Sequence, residues 1–222
     1  MHESNEDQMK AVAAQLRKPH GEFADEVAKK MNEANAHLNR DTIKSLRIQP
    51  DNLVVEVGMG NGRFATDVLA KGKSIRYVGC DYSQEMIAAA TKLNESLVDE
   101  GRASFYNATA DNLPLDDAAV DILFTINTIY FWDNLESVLA EFRRVIRPGG
   151  KLAIGLRPRR SMERYPFTRF GFQMYSAEEV ASFIASSGFN VSKVIETEEP
   201  EQEIDGNRIV VESLIVVAVK PG

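Results

Sequence analysis

The segment Val54-Val55-Glu56-Val57-Gly58-Met59-Gly60-Asn61-Gly62-Arg63-Phe64-Ala65 constrains this chain more than any other. An apolar run ends at an acid, and three glycines follow at alternate positions. A patterned stretch then begins, which predicts a buried strand, a tight turn and a helix start. Glycine permits φ > 0 in the turn and, lacking a side chain, lets a ligand approach the backbone. The helix start adds unpaired N–H groups and a positive dipole end. Such a turn suits a nucleotide-like cofactor, although glycine turns also serve plain strand–helix packing.

The spacing narrows the choice. A dinucleotide fingerprint requires G-x-G-x-x-G. Gly58 and Gly60 satisfy its first half, but its last position is Arg63 and the third glycine comes early, at Gly62. No G-x-x-x-x-G-K-[ST] occurs, which excludes a P-loop.

Other segments alternate in the same way. Strands are expected over residues 53–57, 75–80, 103–107, 120–126 and 151–156, with helices over 62–70, 83–100 and 133–146 between them. Asp133 with Glu136 is expected to cap the last of these, and Pro148-Gly149-Gly150 to stop it. Ser83 is expected to cap the helix before residue 100. Ser176 with Glu179 reads as a capping box for a further helix, followed by strands over 190–196 and 208–219 joined by an acidic loop. This order predicts an α/β fold with a parallel sheet, helices on both faces and a final antiparallel pair. Ligands in such sheets bind beyond the carboxyl ends of the strands.

At this point the chain resembles the class I S-adenosylmethionine-dependent methyltransferases. Besides the glycine turn, the resemblance rests on Asp81 after the second strand, on Asp111-Asn112-Leu113-Pro114-Leu115 after the third and on Asn127 after the fourth. Phe142-Arg143-Arg144-Val145-Ile146-Arg147-Pro148-Gly149-Gly150-Lys151-Leu152 resembles the segment before strand five of small-molecule members, such as quinone-biosynthesis methyltransferases. The resemblance spans about residues 53–189. It implies a Rossmann-like, doubly wound sheet of seven strands, mostly parallel with one antiparallel strand, and S-adenosylmethionine as cofactor. By resemblance Asp81 would hold the ribose hydroxyls and Asp111 the adenine amino group. The Asn112 amide and Leu113 would meet the adenine ring, and Glu56 and Asn127 would lie about the methionine end. Gly58, Gly60, Asn61 and Gly62 would form the loop. Tyr82 and Met86 could pack on adenine, Met86 alternatively being plain helix core.

Methyl transfer leaves the protein mainly a positioning task, so no catalytic residue is singled out, and no metal is expected. Asn127-Thr128-Ile129-Tyr130 lacks the paired prolines of an N-P-P-Y motif, and Cys80 lacks the setting of a cytosine-methylating nucleophile. The acceptor is expected to be a small molecule held by Tyr130, Trp132 and the segment 157–175, including Arg157, Arg159 and Tyr165. Asn32 and Asn35, with Asn39, form a stripe beside the apolar stripe Phe23, Val27, Met31, Ala34 and Leu38, and are expected at the pocket rim. The arginines suggest an anionic group, an RNA or protein surface, or only a solvated basic loop. A protein that binds the cofactor without turnover is the remaining alternative.

Residues 1–21 are expected to be a flexible segment. Residues 22–222 are expected to form a single methyltransferase domain, with a helical cap at 22–46 and an insertion at 157–175 over the site. The net charge of −7 argues against broad nucleic-acid or anionic-membrane binding. The longest apolar run, Leu214 to Val219, is too short to span a bilayer. The polar N-terminus does not read as a signal peptide. A lone cysteine, Cys80, points to a reducing, cytoplasmic setting. The sequence leaves the oligomeric state open.

Overall fold

A computed structural model of the 222-residue chain describes residues 5–204 and 207–222. Residues 1–4, which begin the expected flexible segment, and 205–206 of the acidic loop lie outside the described residues.

Seven strands make one sheet: β1 (Leu53–Val57), β2 (Arg76–Asp81), β3 (Ala103–Asn107), β4 (Val120–Ile126), β5 (Ile146–Leu156), β6 (Asn190–Glu198) and β9 (Glu212–Val219). Their order is β3-β2-β1-β4-β5-β9-β6. The first five pair in parallel, and β9 runs antiparallel to both β5 and β6. This is the seven-stranded, doubly wound arrangement with one reversed strand. Between β6 and β9 the chain adds a separate hairpin, β7 (Gln202–Ile204) with β8 (Asn207–Ile209). The sequence reading had an acidic loop there leading into one strand over 208–219, which is divided instead between β8 and β9.

The period of two along each strand divides the core. Val55, Val57, Leu123 and Leu152 face one side, packed against Val138, Leu139 and Phe142 of α7 (Leu135–Val145) and Val180 and Ile184 of α8 (Ala177–Ser186). Val54, Tyr77, Ile122, Phe124 and Ala153 face the other. There they meet Leu38, Ile43 and Leu46 of α3 (Ala36–Leu46) and Ala65, Val68 and Leu69 of α4 (Ala65–Leu69). Fully burying such a side chain stabilises by about 1.5–3 kcal/mol. Phe142 is fully buried, edge-on to Trp132 at 5.5 Å between ring centroids. Phe142→Ala would cost about 3–5 kcal/mol.

Several boundaries differ from the sequence reading. Asn5–Arg17 is a helix, α1, where a loosely held segment was expected. The single helix expected over 22–46 is two, α2 (Ala24–Ala34) and α3, broken at Asn35. Phe23 precedes α2 and is largely exposed, so Ala24 and Ala28 carry the buried face instead. The helix after the glycine turn begins only at Ala65. The next is divided at Asn94 into α5 (Gln84–Leu93) and α6 (Glu95–Asp99), because the buried Asn94 amide donates to Gly62 O and Ala90 O. Ser83 stands at the N-cap of α5 but makes no side-chain cap bond. Asn134, not Asp133, caps α7, accepting from Ser137 N–H at 3.0 Å. Pro148-Gly149-Gly150 lies within β5, after α7 has ended at Val145. The Ser176–Glu179 capping box is formed in both directions.

Candidate functional site

The strand order reverses between β1 and β4, and ligands of open α/β sheets bind at such a switch point. A cavity of about 360 Å³ opens there. Glu56, the turn from Gly58 to Asn61, Asp81, Met86, Asp111 and Asn127 line it. An adjoining cavity of about 770 Å³ runs beneath the N-terminal helices. Leu16, Met31, Asn35, Asn127 and Phe131 line both, which makes them the wall and aperture between the two.

The glycine turn is shaped by backbone that side chains disfavour. Gly58, Gly60 and Gly62 have φ of 74°, 57° and 66°. A Cβ on Gly58 would overlap Thr128 Cγ2, whereas one on Gly60 would meet nothing within 4 Å. Gly60 therefore leaves open space toward the cavity. Gly62 does not line the cavity. A Cβ there would press on Ala90 and Phe105 at 3.0 Å, so its smallness serves the packing of α5.

Two buried carboxylates set the electrostatics. Glu56, within β1, accepts from Tyr77 Oη at 2.6 Å. Burial raises its pKa from the ordinary 4.5 to about 7, against the lowering effect of the Tyr77 bond. Asp81 ends β2. One of its oxygens accepts from Gly60 N–H at 3.0 Å and the other from Ser83 N–H at 2.9 Å. Burial raises its pKa, opposed by those amides. Cys80 points into the core beside it, and burial pushes the thiol up to about 12, so it is a packing residue.

Tyr82 and Met86 both line the smaller cavity, Tyr82 half-exposed with its hydroxyl on Arg17 O, Met86 packed on Ala24 and Ala28. Asp111 is exposed at the cavity edge. Asn112 and Leu113 line neither cavity: the Asn112 amide bonds Thr109 O, and Leu113 is core with its amide on Glu141. The asparagine stripe does reach the site. Asn32 donates to Asn61, and Asn35 accepts from Asn127 Nδ2 at 3.0 Å. Asn39 lies deeper and buried.

Trp132 lines the smaller cavity, and Tyr130, Arg157 and Tyr165 line the larger. Arg157 is buried rather than presented to solvent. Its guanidinium reaches Asn35 Oδ1 (3.1 Å), Ala34 O (2.8 Å) and Glu199 Oε2 (3.0 Å). Tyr130 Oη accepts from Arg157 N–H and lies 3.0 Å from Asn127 Oδ1, closing a ring of polar groups at the aperture. Arg159 lines neither cavity; it is paired with Glu179 at 2.8 Å. Arg160 is held by Glu196 and Glu212, and Arg164 donates to Val210 O. The arginine-rich segment thus spends these charges within the protein.

Sequence reasoning missed two contributors. Leu16 of α1 lines both cavities, and Ala11, Val12 and Gln15 line the larger; the run from Ala11 to Leu16 was their only signal. Glu199 lay in a segment read as an acidic loop. Among the described residues no cluster of metal-binding side chains occurs, and no helix is long and apolar enough to cross a membrane.

Residues 55–154 match the methyltransferase domain family. This match, together with the relatives and solved structures below, supports a class I S-adenosylmethionine-dependent methyltransferase domain. An O-methyltransferase of Pyrenophora dematioidea is 31% identical over 54% of the chain and 45% of its own length. The 27-O-demethylrifamycin SV methyltransferase of Amycolatopsis mediterranei is 27% identical over 61% and 49%. The chain thus spans about half the length of these curated relatives. Among solved structures, one chain from the complex between the Haloferax volcanii Trm112 methyltransferase activator and a methyltransferase shares the fold. Its TM-score is 0.72, with 21% identity, covering 97% of this chain and 98% of that one. A methyltransferase from Aquifex aeolicus gives 0.69, with 20% identity, covering 86% and 95%. The smaller cavity lies at the carboxyl ends of β1, β2 and β4, and the larger beyond those of β4 and β5, where sheets of this kind place ligands.

Proposed function

We propose that the protein transfers the methyl group of S-adenosylmethionine to a small-molecule acceptor. The observation that carries this reading is the pair of cavities meeting at Asn35 and Asn127, one floored by buried carboxylates and the other mostly apolar. The smaller has the size of a ligand site, within the range of about 300–1,000 Å³. Its residues fit the cofactor: open space at Gly60, a buried Glu56 that an ammonium would satisfy, and Asp81 already oriented by two amides.

Asp81 would hold the ribose hydroxyls, Asp111 and Met86 the adenine side, and Glu56 with Asn127 the methionine ammonium and carboxylate. When bound, the cofactor supplies a methyl group on a positively charged sulfur, and would give that methyl to the acceptor's lone pair, the carbon–sulfur electron pair remaining on sulfur. Any proton on the acceptor goes to solvent. The chain's own contribution is alignment and exclusion of water, and alignment alone can supply about 7–11 kcal/mol.

The cap helices and the segment 157–175 cover the acceptor side, since both line the larger cavity. The ion pairs of Arg157, Arg159 and Arg160 disfavour an RNA or protein surface as acceptor. The relative named for demethylrifamycin favours a small molecule. A buried thiol and net charge of −7 suit a cytoplasmic protein.

Calorimetry tests the reading. S-adenosylmethionine and S-adenosylhomocysteine should bind with micromolar Kd, about −8 kcal/mol. Tight NAD binding with no affinity for either sulfur nucleoside would sink it.

A further inference from the structure

The larger cavity has a charge pattern that selects its occupant. Its aromatic wall is continuous: Phe131 and Phe172 lie 4.6 Å apart, Phe172 and Phe167 5.6 Å, and Phe167 and Tyr165 5.3 Å between centroids. Among its described lining residues there is no carboxylate and no histidine. Two lining side chains are cationic, and each is already neutralised. Lys30 pairs with Glu26 at 2.8 Å on the exposed flank of α2. Arg157 pairs with Glu199 at 3.0 Å, both side chains being almost wholly buried. Glu199 is itself fixed by Ser213 Oγ at 2.6 Å.

An anion entering the depth of this cavity would be desolvated beside an Arg157 already paired with Glu199, Lys30 lying out on the exposed flank. A cation would find no carboxylate. Neutral hydrogen-bonding groups are present: Asn35, Asn127 and Tyr130 gather at the aperture toward the smaller cavity, and Gln15 and Tyr165 stand elsewhere on the wall. The volume, about 770 Å³, accepts a multi-ring or long aliphatic body.

We infer that the larger cavity binds an uncharged, largely apolar acceptor, oriented with its single polar end at Asn35 and Asn127, and rejects anionic molecules of the same shape. Glu199 is the specificity-determining residue: it cancels the Arg157 charge that would otherwise recruit a carboxylate or phosphate. The inference rests on the smaller cavity being the cofactor site.

Two dyes with one ring skeleton test it on the full chain saturated with S-adenosylhomocysteine. N-phenyl-1-naphthylamine is neutral, and 1-anilinonaphthalene-8-sulfonate adds a sulfonate. The neutral dye should bind saturably and at least tenfold more tightly than the sulfonate. Val27→Trp, or Val12→Trp at a more exposed lining position, should weaken it at least tenfold while S-adenosylhomocysteine affinity by calorimetry changes less than twofold. Glu199→Gln should raise sulfonate affinity at least fivefold. Equal or tighter binding of the sulfonate to the native chain, or neutral-dye binding indifferent to both tryptophans, overturns the assignment. An unchanged preference in Glu199→Gln removes the role of that residue. Loss of nucleoside binding would instead strike the cofactor reading, so the two failures are separable.

Discussion

Gly60 N–H donates to Asp81 Oδ2 at 3.0 Å, so the turn after β1 and the end of β2 are tied by one bond across the smaller cavity. Removing the carboxylate therefore loosens the turn as well as the proposed ribose contact. Asp81→Ala should weaken S-adenosylhomocysteine binding by about 1.5–3 kcal/mol, as for a hydrogen bond to a charged group. Calorimetry with unchanged affinity would move the ribose site elsewhere.

The glycines separate fold from binding. Gly58→Ala combines an overlap with Thr128 with a φ of 74°, and should lower thermal stability and abolish cofactor binding together. Gly60→Ala has open space and only the left-handed strain, about 1–2 kcal/mol. It should remain folded and lose affinity, because the added methyl occupies the cavity wall. Thermal melts beside calorimetry read both; equal melting losses in the two variants would refute the distinction.

Glu56 makes stability depend on pH. Its carboxyl titrates near 7 in the fold against 4.5 ordinarily, so between those values the folded state holds the extra proton. The stabilisation is complete below pH 4.5 and is lost as pH rises through 7. Urea melts of the ligand-free protein should lose about 2–3 kcal/mol from this group between pH 5 and pH 8, and Glu56→Gln should lack that component. Cofactor affinity should move oppositely, falling below pH 7 as the site becomes neutral. A Glu56→Gln profile identical to the native one would exclude Glu56 as the titrating group.

Charge reversal at Arg159 and Arg160 should leave the acceptor KM unchanged. Both are committed to glutamates on the surface and line neither cavity, contrary to the sequence expectation for Arg159. Exposed pairs are worth about 0–1 kcal/mol each, so melting should drop slightly. A raised KM in steady-state assays would return the segment to the acceptor path.

Deleting residues 1–17 removes α1, which walls both cavities but buries only Ala13 within its own length. Circular dichroism should show a fold otherwise retained, and turnover should fall far more. Retained turnover would make α1 dispensable.

The parts legible in the sequence were those governed by local periodicity and by the glycine turn. Strands such as Leu53–Val57 and Ala103–Asn107 were bounded correctly, because two-residue alternation and turn residues suffice. Glu56, Asp81 and Asn127 were named from the family resemblance at the strand ends, and all three line the smaller cavity. Misreadings arose where a distant partner decides. Asn35 breaks a helix whose pattern runs through it, and Arg157 and Asn127 grip it there from far along the chain. Arg157 carried no mark of its Glu199 partner, so buried and solvated arginines looked alike. In α1 only Ala13 is buried, which gives little apolar periodicity to see.

The Arg157 network also fixes an order of assembly. The cap helices are synthesised well before their fastening, for Ala34 and Asn35 are held by Arg157, 123 and 122 positions later. Arg157 is braced by Glu199, and Glu199 by Ser213. The roof over the larger cavity is therefore made well before the residues that fasten it, and the fastening is complete only once Ser213 of β9 has been added to the sheet.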